Sequence, residues 1–316
     1  MNTKKLSPYI LVFSLFLALS LTSCASNPVI DADAEPILYP RESYIPESFD
    51  WQEVQPGIDR FDYTNPNFPI IYHAVRIDLT TPGLELVCTP DAPENATTSA
   101  DSSAPTNTGA TLASSTPQNR SRRVATSTFA AEQNCIVAIN TTQFDLSSIN
   151  GIHKVNGTVL SEPIEKYAVL AFRREQNSEQ GTQKTAYGAA VFNTQNVTIL
   201  NNYDFAFGGF FVVLQDGEVL QDYIRRHTSR TGAGVSADGH TLYILVAEGE
   251  KPSQSEGLSY PQCGEIFKAM GCTDALEFDG GGSTELCING VSVLSYKNRR
   301  TQATSFGFRK RDSRRH

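Results

Sequence analysis

The sequence predicts an α+β fold in which a mixed, largely antiparallel sheet carries packed helices, all in a single catalytic-type domain. Turns are the first reason, because four Asn-Gly or Asp-Gly pairs each lie between apolar runs, as in tight β-hairpins. Two helical stretches are the second reason, and a buried-looking strand follows each of them directly. The turn pairs are Asn156-Gly157, Asp216-Gly217, Asp238-Gly239 and Asn289-Gly290.

Apolar patterns mark the predicted strands. Residues 74–79 and 84–88 are strand patterns near the start of the body. Continuous apolar runs at 135–139 and 275–278 are typical of strands buried on both faces. No repeat of fixed period is present, which argues against a solenoid or a propeller.

The two helices are predicted over residues 126–134 and 261–270. The second has Pro261 near its start and Gly271 just past its end, which is the usual placement of these residues at helix ends. Since each helix leads straight into an apolar strand, we expect both helices to pack on the sheet.

The amino-terminal 23 residues have the layout of a signal peptide. Lys4 and Lys5 precede an apolar run over 10–21, which is too short for a mature membrane helix. The sequence Leu21-Thr22-Ser23-Cys24 resembles a lipobox, in which the thiol of Cys24 takes up diacylglycerol. An ordinary secretory signal with a chance cysteine is the alternative. These residues predict an exported lipoprotein, lipid-anchored to a membrane of the bacterial cell envelope.

Composition predicts how the mature chain is organised. Residues 24–60 are rich in Pro, Asp and Glu and are predicted to be a tether. The body is predicted over 61–312, with a low-complexity loop at 91–123 that contains almost no large aliphatic residues. We interpret this segment as a loop inside one domain, and a split into two domains there is the alternative.

The charge of the chain excludes one class of partner. The full chain has a formal net charge of −8, and removal of Lys4 and Lys5 with the signal peptide would make it −10. An acidic surface of this kind is a poor nucleic-acid binder, so no nucleic-acid partner is expected.

The cysteines after Cys24 are odd in number, so at least one thiol is expected to be free. Cys263 and Cys272 flank the second predicted helix and are candidates for a disulfide. Cys135 lies in an apolar strand pattern and is expected to be a small core residue. No Cys or His spacing indicates a structural zinc site.

Polar residues follow three apolar strand patterns at the point where each strand ends. Asn140 follows one strand, Glu248-Gly249 follows another, and Asp279 follows the third. Strand ends are where sheet proteins commonly place their functional residues, so these side chains are the candidates for a site.

A run of glycines makes the third of these strand ends the most informative. Its residues are Asp279, Gly280, Gly281, Gly282, Ser283 and Thr284, called the glycine loop below. Glycines leave the backbone bare, so a phosphate or a sugar can approach the amides closely. A Gly-rich surface turn would have the same pattern, and the lysine of a P-loop is absent.

Four ordered motifs together resemble the phosphodiester glycosidase family, whose members cut a sugar from a sugar-1-phosphate diester. The resemblance covers roughly residues 70–310. Two positions depart from the family pattern: Thr141-Thr142-Gln143 replace small residues or glycines, and Glu248 stands where Asp is usual. The motifs are 137–140 through Phe144, 229–234, 245–249 and the glycine loop with its following hairpin at 287–291.

The resemblance implies roles for the candidate residues. Asp279 would activate water or stabilise the oxocarbenium-like state. Arg230 would bind the phosphate, together with amides of Gly280–Ser283. Asn140 would hydrogen-bond a sugar hydroxyl or the water. Glu248 would act as a second carboxylate, or as a cation ligand with Asp279. No cofactor is implied with certainty, and a divalent cation stays open.

Each of these residues also has an alternative interpretation. In the alternative interpretation, Arg230 forms an ion pair on the surface and Asn140 caps a turn. Glu277 shares a strand face with Asp279, so it is either the partner carboxylate or a solvated strand acid.

The expected function is hydrolysis of GlcNAc-1-phosphate-type linkages in glycans, and the alternative is a lipoprotein that binds glycan or sugar phosphate without catalysis.

Overall fold

Eighteen strands dominate the part of the chain that the structure, a computed structural model, describes: residues 39–89, 123–145, 148–179, 182–221, 226–298 and 300–311. These residues belong to one unit, Glu35–His316. The signal peptide, Cys24, residues 25–38 of the predicted tether and residues 91–122 of the predicted loop lie outside the described residues. The predicted domain boundaries therefore stay predictions.

The bounds of the secondary-structure elements are as follows. The strands are β1 Gln52–Gln55, β2 Ile58–Thr64, β3 Ile71–Asp78, β4 Leu84–Thr89, β5 Val137–Asn140, β6 His153–Val155, β7 Thr158–Ser161, β8 Val169–Glu179, β9 Thr182–Phe192, β10 Phe205–Gly208, β11 Val212–Gln215, β12 Glu218–Val219, β13 Arg230–Val235, β14 Thr241–Ala247, β15 Asp274–Glu277, β16 Leu286–Ile288, β17 Val291–Ser292 and β18 Ser305–Lys310. The helices are α1 Thr126–Glu132, α2 Val197–Leu200 and α3 Tyr260–Met270, with short 3-10 turns at Arg41–Ser43 and Gly281–Ser283.

The strands form three sheets. One has eight strands in the order β1-β2-β3-β14-β13-β15-β11-β12. The others have five strands each, β7-β6-β10-β8-β9 and β17-β16-β5-β18-β4. Every ladder between the described strands is antiparallel. The antiparallel prediction is confirmed, but the described residues are richer in β-structure than the predicted α+β class, and no parallel pair is present among their strands.

Local signals explain the elements that the sequence predicts best. Helix α3 begins at a capping box formed by Ser259 and Gln262, and it ends at Gly271, whose φ is +105°. Three of the four predicted turn pairs have positive φ at both residues, as a two-residue hairpin turn requires. The fourth, Asp238-Gly239, lies in a longer connection between β13 and β14. No helix among the described residues is long and apolar enough to cross a membrane.

The five described cysteines are all free and buried, so the predicted bridge between Cys263 and Cys272 is wrong. The two thiols have different neighbours. The carboxyl of Glu277 is among the groups that raise the pKa of Cys263, and a Cβ added to Gly234 would lie 2.7 Å from Cys272 Sγ. Cys135 is buried beside Phe129 of α1, as expected for a small core residue.

The order of the large sheet explains where the predicted site residues meet. Strand β13 lies between β14 and β15 and is antiparallel to both. The carboxyl ends of β14 and β15 therefore flank the start of β13, where Arg230 pairs with Ala247. Glu248 and Asp279 leave the sheet at this same end, one on each side of β13.

Candidate active site

Two acid-glycine turns close on the same backbone segment. A Cβ added to Gly249 would lie 2.4 Å from Ser229 N, and one added to Gly280 would lie 2.7 Å from Ser229 O. Gly281 N also donates to Ser229 O at 2.9 Å. Only glycine allows such close approach, so the turns after β14 and β15 are held against the residue that precedes β13.

Asn140 joins three elements at this end of the sheet. Its Nδ2 donates to the carbonyl of Asp279 at 2.6 Å. Its Oδ1 accepts from Thr231 Oγ1 at 2.9 Å and from Glu285 N at 3.0 Å. Because Asn140 is only 1% exposed, these bonds fix β5 to β13 and to both ends of the glycine loop.

Asp279 is a partly buried acid at the start of the glycine loop. Its amide donates to the carbonyl of Thr141 at 3.0 Å, which orients the turn. Burial raises the pKa of its carboxyl to about 6, although the Ser283 hydroxyl and the Arg300 guanidinium act in the opposite direction. A carboxyl with this pKa can exchange a proton near neutral pH.

The middle of the glycine loop has an open face. Gly281 has φ +56°, and a Cβ added there would meet no atom within 4 Å. A Cβ added to Gly282 would meet only Arg300, with Nη1 at 3.7 Å. A ligand can therefore reach the backbone at Gly281 and Gly282, beside a guanidinium group.

Arg300 is the cation that sequence reasoning missed. Its side chain is exposed, and its Cζ lies 5.3 Å from the ring centroid of Phe144. Arg123 also lies over the Phe144 ring, at 4.7 Å. No local pattern singles out either arginine, although Phe144 belongs to the first of the four motifs.

The side chain of Arg230 is buried, unlike the exposed guanidinium group that the predicted phosphate contact would need. It is 5% exposed, and its Nε and Nη2 donate to the carbonyls of Leu258 and Arg226 at 2.8 and 2.7 Å. Its Cζ lies 4.2 Å from the ring centroid of Tyr260. These contacts exclude the alternative of an exposed surface ion pair, and they hold the segments that flank β13.

Glu248 is also deeply placed, with 3% exposure. Its Oε1 lies 2.9 Å from His73 Nε2 and accepts from Ser295 N at 2.9 Å, and its Oε2 accepts from Ser295 Oγ. Burial acts to raise the pKa of this carboxyl, but the bonds from His73 and Ser295 outweigh it and lower the pKa. Glu248 is therefore ionised near neutral pH, unlike a carboxyl poised to exchange a proton.

Glu277 is completely buried, so the prediction of a solvated strand acid is wrong. Its carboxyl lies on the α3 side of the sheet, because a Cβ added to Gly232 would meet both Glu277 Oε1 and Phe267 of α3. Neither carboxyl oxygen has a hydrogen-bond partner among the described residues. Burial raises the pKa of Glu277 to about 8, against the influence of Arg230 and Cys263.

Several buried polar atoms in the glycine loop and in the segment after Asn140 have no hydrogen-bond partner in the described part of the chain. They include Thr141 Oγ1, Thr142 Oγ1, Gln143 Oε1 and Thr284 Oγ1. Unpaired buried polar atoms are costly, and they gather where a ligand or bound water completes the bonding. The three polar residues that depart from the family pattern therefore place unpaired polar atoms in the segment that follows Asn140.

The described residues contain no group of three or more His, Cys, Asp or Glu side chains arranged to hold a metal ion. Glu248, which the sequence suggested as a cation ligand with Asp279, accepts hydrogen bonds at both carboxyl oxygens within the protein.

Residues 133–309 match the family model described as phosphodiester glycosidase. The matched range is more than half of the chain and contains Asn140, Arg230, Glu248 and the whole glycine loop. The chain belongs to the phosphodiester glycosidase family. It is thus a hydrolase that acts on phosphodiester-linked sugars. No curated protein matches it.

Three solved structures share the fold of this glycosidase. A hypothetical protein from Synechocystis aligns with a TM-score of 0.57 at 13% identity, over 88% of this chain and 64% of its own. The zebrafish N-acetylglucosamine-1-phosphodiester alpha-N-acetylglucosaminidase catalytic domain, auto-inhibited by its pro-peptide, aligns at 0.54 and 16%, over 85% and 86%. A putative exported protein from Burkholderia pseudomallei aligns at 0.50 and 11%, over 76% and 74%. At these identities the likeness concerns the fold alone.

Proposed function

We propose that this glycosidase hydrolyses a GlcNAc-1-phosphate-type diester at the glycine loop while a lipid on Cys24 anchors it to a membrane of the cell envelope. The catalytic part of this proposal is supported by the position of Asp279. A carboxyl with a pKa of about 6 lies at the start of an open glycine turn and beside a guanidinium group. This combination matches a reaction that moves one proton next to a phosphate.

The reaction requires little acid assistance. Water attacks the anomeric carbon, the bond from that carbon to the phosphate oxygen breaks, and its electron pair leaves with the phosphomonoester. The leaving group is already stable as an anion, so the main need is for a base. Asp279 would accept the proton of the attacking water and stabilise positive charge on the sugar ring.

The phosphate would bind between the glycine loop and Arg300. Arg300 is exposed and lies next to Gly282, whereas Arg230 is buried and its Nε and Nη2 donate to carbonyls. We therefore assign the phosphate contact to the Arg300 guanidinium and to the amides of Gly280 and Gly282. Arg230 would support this end of the sheet from behind.

The sugar would bind on the side of β5. Thr141, Thr142 and Gln143 place buried hydroxyl and carbonyl oxygens there, and a sugar's hydroxyl groups would complete their hydrogen bonding. Asn140 uses its amide to hold Asp279, Thr231 and Glu285, so we assign it to positioning the loop and not to contacting the sugar.

The test is sugar release from the methyl diester of GlcNAc-1-phosphate by the full chain in detergent. The Asp279→Asn variant should lower kcat by about 10²- to 10⁴-fold, the usual contribution of a general base. The Arg300→Ala variant should raise KM by about tenfold or more, because a charged hydrogen bond to phosphate is lost.

Arg173→Ala is the matched control, since Arg173 is an exposed arginine paired with Glu175 on β8. It should leave both constants unchanged. Binding of the diester without turnover would reject hydrolysis of this substrate and favour the non-catalytic sugar-phosphate-binding lipoprotein.

The anchor is tested separately because its residues lie outside the described part of the chain. The pattern Leu21-Thr22-Ser23-Cys24 supports it. Labelled fatty acid should enter the wild-type chain in cells and not the Cys24→Ala variant. Equal labelling of the two would refute the lipoprotein.

A further inference from the structure

A segment that begins at the last residue of β17 runs beside the glycine loop and contains Arg300. We call residues 292–298 and 300–302 the strap. Its side chains bind the glycine loop and the acids beside it at four places. These are Ser292 Oγ to Glu285 Oε1, Ser295 Oγ to Glu248 Oε2, Asn298 Nδ2 to Thr284 O at 2.8 Å, and Gln302 Nε2 to Ser283 O at 3.1 Å.

The bond to Glu248 is the one that connects the strap to a charged network. Glu248 accepts from both the amide and the hydroxyl of Ser295. On its other side Glu248 Oε1 lies 2.9 Å from His73 Nε2, and His73 Nδ1 lies 2.6 Å from Asp62 Oδ1. The strap is thus linked through Glu248 to β3 and β2.

The two carboxylates that face the ring nitrogens of His73 determine its protonation state. Carboxylates only accept hydrogen bonds when ionised, and neutral imidazole has a single N–H group. Both ring nitrogens of His73 can donate only when the ring is an imidazolium. The cation then lies between two anions, with 6% of His73 exposed.

The neighbours of His73 support the charged form. Asp62 faces it from β2, and Glu248 faces it from the end of β14. Arg60 is the remaining charged group of this network, and its Nε donates to Asp62 at 2.9 Å. Burial acts to lower the pKa of His73, but the bonds to Asp62 and Glu248 outweigh burial and raise it.

We propose that His73 is a positioning residue for the hydrolysis: as an imidazolium it holds Glu248, which through Ser295 keeps the strap and Arg300 against the glycine loop. The inference rests on the proposed function, since Arg300 matters here as the phosphate-binding group. Glu248 is accordingly a positioning residue too, and not a second carboxylate in contact with the substrate.

A pH dependence follows from this arrangement. When the pH rises through the pKa of His73, the ring loses one proton and can no longer donate to both carboxylates. The strap then loses its support at Ser295, and Arg300 is no longer fixed beside Gly282. We expect KM for the diester to rise on the alkaline side, by about tenfold, with a smaller change in kcat.

The experiment uses the full chain in detergent and compares wild type with His73→Gln and Ser295→Ala. The first variant removes the charge, and the second removes only the hydroxyl group of an exposed residue, which keeps the test valid if His73→Gln does not fold. KM is measured from pH 5 to 10 with the methyl diester of GlcNAc-1-phosphate, and hydrogen-deuterium exchange is measured in peptides that contain residues 293–298.

Both variants should raise KM by about tenfold at pH 7 and exchange faster in the strap. His73→Gln should also lose the alkaline rise of KM. His240→Gln is the matched control, because His240 pairs with Glu175 at 3.0 Å on the surface. It should behave as wild type does.

The possible failures are distinguishable. Turnover by the wild type with unchanged KM and unchanged exchange in both variants would overturn the role of His73 and leave the proposed function intact. No turnover by any protein would reject the proposed function, and with it the catalytic purpose of the network. Faster exchange in the variants would then still show that His73 and Ser295 hold the strap.

Discussion

Two turns of almost identical sequence pattern give their acids opposite properties. Glu248 and Asp279 each follow an apolar strand, precede a glycine and leave the sheet beside β13. Glu248 accepts bonds from His73 and Ser295, which hold its pKa below the usual value. Burial raises the pKa of Asp279 to about 6. Donors from distant strands, and not the local pattern, therefore decide which acid can exchange protons.

The pH profile of hydrolysis tests the difference between the two acids most strongly. Asp279 must be ionised to act as a base, so kcat/KM of the wild type should fall as the pH decreases through about 6. The Asp279→Asn variant should lose about 10²- to 10⁴-fold in kcat and show no such acidic limb. Activity that instead falls as the pH rises through 6 would make Asp279 an acid.

Thermal unfolding of two isosteric variants tests the same difference through stability. Glu248 has a lowered pKa, so its bonds stabilise the fold at pH 7 and this stability is lost as the pH falls below about 4.5. Glu248→Gln should therefore destabilise the protein by about 2 kcal/mol at pH 7 and much less in acid.

Asp279 should show the opposite sign. Its folded pKa lies above the usual 3.8, so stability decreases as the pH rises from there to about 6. Asp279→Asn should thus stabilise the protein at pH 8 by about 1 to 2 kcal/mol and have little effect at pH 4. Calorimetry at the two pH values checks both variants, and the same sign for both would contradict the distinction.

Alanine at Gly281 should give the smallest effect on stability and still reveal the open face of the loop. Gly281 has φ +56° with no atom near an added Cβ, so Gly281→Ala should cost about 1 kcal/mol through backbone strain. The added methyl group would project into the proposed phosphate site and lower turnover. Urea unfolding and the sugar-release assay measure the two effects.

Gly83→Ala is the matched control, because Gly83 has φ +80°, also has open space around an added Cβ, and lies in the turn before β4. It should cost a similar amount of stability and leave turnover unchanged. Equal turnover in both variants would mean that the phosphate does not approach Gly281.

Local signals were enough to predict much of the fold. The capping box at Ser259 and the positive φ at Gly271 act within one turn of helix, so the ends of α3 could be read from neighbouring residues. Asn-Gly pairs specify their hairpins for the same reason. The assignment of strands to three sheets had no such signal, since it depends on which distant strands pair.

In the candidate site, too, the residues could be recognised from the sequence but their roles could not. The glycine loop and the residues Asn140, Arg230 and Glu248 were recognisable because each motif is continuous in the chain. Their roles were not, because those depend on partners such as Leu258 for Arg230 and Asp279 for Asn140. Arg300 was missed since nothing in its neighbourhood shows that it reaches Gly282.

The order of residues in the chain was enough to predict that an acid and three glycines follow a buried strand, and that this turn leaves its backbone open. The chemistry of the two acids, in contrast, depends on how the strands pair. His73 is 175 residues from Glu248 in the chain and meets it because β3 pairs with β14, which places His73 opposite Val246. A pKa depends on charges and donors within a few ångströms, and the register of distant strands sets those neighbours.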